Sequence, residues 1–145
     1  MRIKKIVILV VLILHYGLIR AQRFFYIDNN RITENLLKGG LLRASQFITS
    51  SPLSSDYIVK TDVGFQAENH ILTLQINMQD SITSQSIFQI RETYTFGDLN
   101  SNSRNLMRTV IRTFIEKNIN QLVLTAKENH FNDRINGLQT RKDKT

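Results

Sequence analysis

The stretch HILTLQINMQD, His70 to Asp80, decides the fold. Leu72, Leu74, Ile76 and Met78 alternate with Thr73, Gln75 and Asn77. That period of two belongs to a strand with one buried face and one wet face. Its neighbours repeat the pattern. DYIVKTDVGFQ (Asp56–Gln66) places Tyr57, Val59, Val63 and Phe65 on one face. SIFQIRETYTF (Ser86–Phe96) turns Phe88, Ile90, Tyr94 and Phe96 inward and Gln89, Arg91, Thr93 and Thr95 outward. AEN and QDSITSQ supply turn residues between the runs. Three strands in series, each wet on one side, predict antiparallel hairpins that need a cover on the other side.

Two helical segments can supply that cover. Upstream, RFFYID (Arg23–Asp28) reads as a first strand, with Phe24 and Tyr26 on one face and Phe25 and Ile27 on the other. Thr33 is placed to cap a helix running to about Thr49, with Glu34 at its positive end and a stripe of Leu37, Leu41, Ala44 and Ile48. Gly39 and Gly40 lie inside it, each costing about 1 kcal/mol against alanine; close packing of the helix backbone is the expected reason. SSPLSS breaks the chain. Downstream of GDLNSNS, Ser103 or Asn102 can cap a helix from Arg104 to about Ala126, with Met107, Val110, Ile111, Phe114 and Leu122 facing the core. The order β-α-β-β-β-α predicts an α+β two-layer sandwich, a mainly antiparallel sheet with two helices on one face. One domain is expected over residues 23–131, with a polar, disordered tail over 132–145.

The amino-terminal segment reads as a secretory signal over residues 1–22. Arg2, Lys4 and Lys5 precede a nine-residue apolar core, IVILVVLIL (Ile6–Leu14), and Ala21 is the small residue of a cleavage site. Cleavage is expected after Ala21 or Gln22. The 14 residues from Ile6 to Ile19 fall short of the about 20 that a membrane-spanning helix needs. The mature chain is therefore expected in the periplasm or outside the cell, without membrane association.

The formal charge of +7 suggests nucleic acid until the charges are located. Between Arg23 and Leu138 there are 12 basic and 11 acidic residues. The basicity sits at the two ends, so no nucleic-acid partner is expected. There is no cysteine, which excludes disulfides, thiolate catalysis and lipid attachment through cysteine. No nucleophile elbow, P-loop or dinucleotide fingerprint is present. His70 falls at a turn and His130 beyond the last predicted helix, neither with metal-ligand spacing. No catalytic, cofactor-binding or metal-binding residue is assigned, and no cofactor is expected. Two features stand out. Glu92 falls on the apolar face of its strand between Ile90 and Tyr94, where a carboxylate needs a partner. Arg104, Arg108 and Arg112, spaced by four, share a helix face; Glu116 can pair with Arg112. That face is expected to be solvated.

SDYIVKTDVGF, LTLQINMQDSITSQSIFQ and the long final helix resemble the TolB amino-terminal domain and the penicillin-binding-protein activator lipoproteins of bacterial envelopes. The likeness runs from about Phe24 to Thr125 and includes a strand ending in Asp80. The AQ at the signal's end is similar to exported proteins of the Bacteroidetes type. The resemblance implies a binding or assembly role, with another envelope protein as partner. Two functions follow: a non-enzymatic exported binding module, or a small exported hydrolase with a site around Glu92, His70 or Asp80.

Overall fold

The computed structural model describes residues 3–10, 23–28 and 32–142, with side chains through residue 132. A five-stranded sheet in the order β2-β1-β3-β4-β5 is covered on one face by two helices. The elements are β1 (Phe24–Ile27), α1 (Glu34–Arg43), β2 (Phe47–Ile48), β3 (Tyr57–Gln66), β4 (Ile71–Asp80), β5 (Ser86–Thr95) and α2 (Ser103–Lys142). The α+β sandwich expected from the alternation is the architecture found. β3, β4 and β5 form the two antiparallel hairpins. β1 lies between β2 and β3 and is parallel to both. Residues 3–10 are helical, with Ile3 and Ile6 to Val10 exposed. The expected cleavage site lies outside the described residues. Among those residues no helix is long and apolar enough to cross a membrane.

The strand faces are as the alternation demands. Leu72, Leu74, Ile76 and Met78 of β4 are all buried, and Tyr57, Val59 and Thr61 of β3 line the same layer. Phe25 and Ile27 are the buried face of β1. From α2, the buried stripe is Ile111, Phe114, Ile115, Ile119, Leu122, Val123 and Ala126; Met107 and Val110 pack partly against it. Phe65 departs from expectation. It lies at the far end of β3 and stays 40% exposed.

Two boundaries and one cap differ from the sequence expectation. α1 stops at Arg43, not near Thr49, because Ser45 turns left-handed at φ 59°. The Ser45 amide then donates to the Leu42 carbonyl and the Gln46 amide to the Leu41 carbonyl, a helix-ending motif that usually takes glycine. Phe47 and Ile48 are thereby released as an edge strand beside β1. Thr33 stands at the start of α1, but its hydroxyl bonds Thr61 across the core and makes no capping bond. At the other end, α2 continues to Lys142 where a disordered tail was expected after residue 131. A formed helix extends at little cost once nucleated, even past its buried stripe.

Gly40 explains itself by packing, as the sequence suggested. A β-carbon there would lie 2.9 Å from Cγ1 of Ile119, so the two helices approach too closely for any side chain. At Gly39 the nearest atom is Nη1 of Arg43, 3.3 Å away at the end of a flexible chain.

Candidate functional site

Glu92 is accounted for by two partners. It lies on the inner face of β5 opposite Leu74, and its carboxylate accepts bonds from the Tyr94 hydroxyl and from Nζ of Lys117 on α2, the latter at 2.8 Å. The sequence asked for a partner without naming one. The structure supplies a lysine, because α2 passes over β5 at that level. The bond from Lys117, then the one from Tyr94, hold the Glu92 carboxyl below the usual glutamate range. Burial, then the bond to Glu92, pushes the Tyr94 hydroxyl above its usual range; the bond to Glu92 likewise raises Lys117. The folded pKa of Glu92 is depressed, so its contribution is present above the unfolded value of about 4.3 and fades as the pH falls through the folded value. Tyr94 and Lys117 are raised, so theirs is lost only in strongly alkaline solution. Glu92→Gln should flatten the acid limb of a plot of melting temperature against pH between about pH 5 and 3 relative to wild type. Parallel curves would show that the ionisation of Glu92 contributes nothing to the pH dependence of stability.

The three candidate hydrolase residues are kept apart. His70 and Asp80 flank β4 at opposite ends, roughly 33 Å apart at the rise of a strand. His70 occupies a left-handed turn position at φ 53°. Asp80 holds the next hairpin: its Oδ1 accepts from the Ile82 and Thr83 amides at 2.9 Å. A concavity of about 690 Å³ does bring Asp80 together with Asp56 and His130. Its groups are committed to the backbone, however. Asp56 Oδ2 accepts from the Phe24 amide, and the Ser55 and Ser81 hydroxyls donate to the carbonyls of Pro52 and Ser55. Among the described residues no hydroxyl there is bonded to His130, whose buried Nε2 finds no partner among them. A nucleophile needs its base within hydrogen-bond reach, and this concavity does not provide the pair. Among the described residues no cluster of three or more His, Asp or Glu can hold a metal ion.

The outer sheet face and its edge have a different character. Across β3, β4 and β5 the outward rows are Lys60–Asn77–Gln89, Asp62–Gln75–Arg91 and Gly64–Thr73–Thr93. This face is polar, mixed in sign, and wet. A shallow hollow of about 360 Å³ opens at Gly64, where no side chain stands. β5 ends the sheet and has ten residues. The bond from the Phe96 amide to the His70 carbonyl sets its phase. In an antiparallel pair, bonded and non-bonded residues alternate. Phe88, Ile90, Glu92 and Tyr94 therefore turn their backbone groups to β4. The amides and carbonyls of Gln89, Arg91, Thr93 and Thr95 point out of the sheet, with no hydrogen-bond partner among the described residues. Near its start, β5 carries an extra residue, Ile87, where Met78 faces Phe88 and Gln79 faces Ser86. This open edge was legible only as a general property of hairpins. Which strand ends the sheet follows from the pairing of β1 with β3.

No protein-family model matches the sequence, and no curated protein matches it. Solved structures do show similar arrangements. One is a minor lipoprotein from Acinetobacter baumannii, 15% identical, covering 74% of this chain and 94% of its own, with a TM-score of 0.46. A second is the rare lipoprotein B from Shewanella oneidensis, 8% identical, covering 77% and 99%, with a TM-score of 0.44. A third is the LpoB carboxy-terminal domain from Salmonella enterica, 8% identical, covering 51% and 83%, with a TM-score of 0.39. At TM-scores below 0.5 these are likenesses only.

Proposed function

We propose that the chain is an exported, non-enzymatic binding module of the bacterial envelope, which takes up an extended segment of a partner protein along β5. The observation that carries this is the row of four outward-facing backbone units at Gln89, Arg91, Thr93 and Thr95. A long open edge is a template for another strand unless it is blocked. Added strands gain affinity from main-chain bonds and specificity from alternate side chains. Here those side chains are two threonines, a glutamine and one arginine on the wet face. The edge carries no proline and no lysine; its extra residue, Ile87, lies before this stretch, and its one inward charge, Glu92, is paired with Lys117, so Gln89 to Thr95 stay open. Export is supported by the amino-terminal charge, the apolar core and Ala21. The hydrolase alternative has less support, because Glu92, His70 and Asp80 each have a structural task in separate places.

Proline at Thr93 tests the edge. Its amide points outward, so Thr93→Pro removes a free donor without breaking a ladder bond. A photo-crosslinking residue is placed at Arg91 and, as a control, at Gln75 in the middle of the wet face, in cells of the native host. Adducts are expected from position 91 and not from 75. They should vanish when Thr93→Pro is added, while the melting temperature falls by only a few degrees, the shift that about 1 kcal/mol produces in a small domain. Adducts that persist in the folded proline variant would refute strand addition.

A further inference from the structure

The outer side of the helix layer carries a second surface, on the opposite side of the sheet from the wet face. Ile32 and Leu36 line a hollow of about 390 Å³ with Arg108, Ile111 and Arg112. Farther along both helices, Gly40 and Arg43 line another of about 430 Å³ with Glu116 and Ile119. α1 and α2 ascend together from the first hollow to the second. The seam between them therefore runs about 18 Å along α2, from Arg108 to Asn120, at 1.5 Å per residue.

The first hollow is apolar at Ile32, Leu36 and Ile111, and exposed arginines rim both hollows. Ile32 is 61% exposed, and Leu36 is half-buried. Arg43, Arg108 and Arg112 are all exposed, with Arg104 one turn before them. The ion pairs among the described residues are Lys38–Glu34, Lys60–Asp28 and Lys117–Glu92, so none of the four arginines is engaged in one. Glu116 is the acid in the seam, and the pair it was expected to form with Arg112 is not made. Such a stripe departs from an ordinary solvated face, where both signs alternate and neutralise each other.

We propose that this seam binds an acidic amphipathic helix of a partner protein. Apolar anchor points at Ile32, in the turn before α1, and at Leu36 in the first hollow suit the apolar ridge of a helix lying along the seam. A rim of arginines matches carboxylates along the flanks of that helix, because the planar guanidinium pairs with them through two parallel bonds. The concave shape favours a rod over the plane of a membrane. This surface is independent of the β5 edge, so either can fail without the other.

The test uses the full chain and a synthetic 18-residue helical peptide with a leucine ridge flanked by glutamates. The control is the same peptide with lysines for glutamates. Fluorescence anisotropy should show the glutamate peptide binding, and the lysine peptide at least about tenfold weaker. The variant Arg43→Glu/Arg108→Glu/Arg112→Glu should reverse that preference, and Ile32→Asp should weaken the glutamate peptide by a similar factor. Binding to wild type should also fall as salt rises from 50 to 500 mM, since exposed charges are screened within about 10 Å at 0.1 M. Circular dichroism confirms that each variant folds. Equal affinity for the two peptides, or no effect of the triple reversal in a folded variant, overturns the proposal. So does flotation with phosphatidylglycerol vesicles that the triple variant loses while neither peptide binds, which would make the seam a lipid contact.

Discussion

Leu74→Ala should lower the unfolding free energy by about 2–5 kcal/mol, whereas its neighbour Thr73→Ala should cost far less. Leu74 is 1% exposed at the centre of β4. It lies between Val63 and Glu92 on the adjacent strands, beneath Ile111, Phe114 and Ile115 of α2. Truncation removes the transfer free energy of the side chain and leaves a cavity that the three surrounding elements, β3, β5 and α2, cannot collapse to fill. Thr73 faces outward between Gly64 and Thr93 and is only partly covered. Urea midpoints measure the difference. Equal midpoints would mean that β4 presents the other face to the helices, because a slip of one residue exchanges the two sets completely.

Tyr57→Ala should cost about 3–5 kcal/mol, as large aromatic truncations in cores do. The ring is 2% exposed and stacks at a tilt on Phe25, with centroids 5.5 Å apart. Its hydroxyl donates to the Ala126 carbonyl at 3.0 Å, tying the first residue of β3 to the last buried turn of α2. Tyr57→Phe keeps the ring and loses that bond, so about 0.5–1.5 kcal/mol should be lost. A chemical-denaturation series of the two variants separates packing from hydrogen bonding. If the phenylalanine variant fell as far as the alanine variant, the hydroxyl and not the ring would hold the helix to the sheet.

The hairpins were legible because β3, β4 and β5 each alternate over ten residues, and such alternation is explicable only by one buried face. α2 was legible for the same reason at a period of 3.6: Ile111, Phe114 and Leu122 lie on one stripe. The end of α1 was hidden. Ile48 continues the apolar spacing of Leu37, Leu41 and Ala44, so the stripe alone carries the helix too far. The residue that stops it, Ser45, has no glycine signature, and its left-handed conformation is imposed by the bonds around it. Glu92 announced that it needed a partner but could not name Lys117, 25 residues away on another element. The arginine stripe was visible in the sequence. Its place beside Ile32, Leu36 and Arg43 was not, because that depends on how α1 lies along α2.

By itself, then, the sequence determined the alternating faces of β1, the inward faces of β4 and β5 and the buried stripe of α2, the α+β class, and the absence of any cysteine chemistry. These depend on local periodicity and composition, which each segment carries in its own side chains. Only the tertiary structure decided that β1 enters the sheet parallel to β2 and β3, and that β5 is left as the open edge. It also decided that Gly40 is needed by Ile119 and that the helix seam gathers three arginines around its two hollows. Each of those depends on which distant segments come together. That choice is made by the sum of burial and backbone pairing over the whole chain, so no single stretch can contain it.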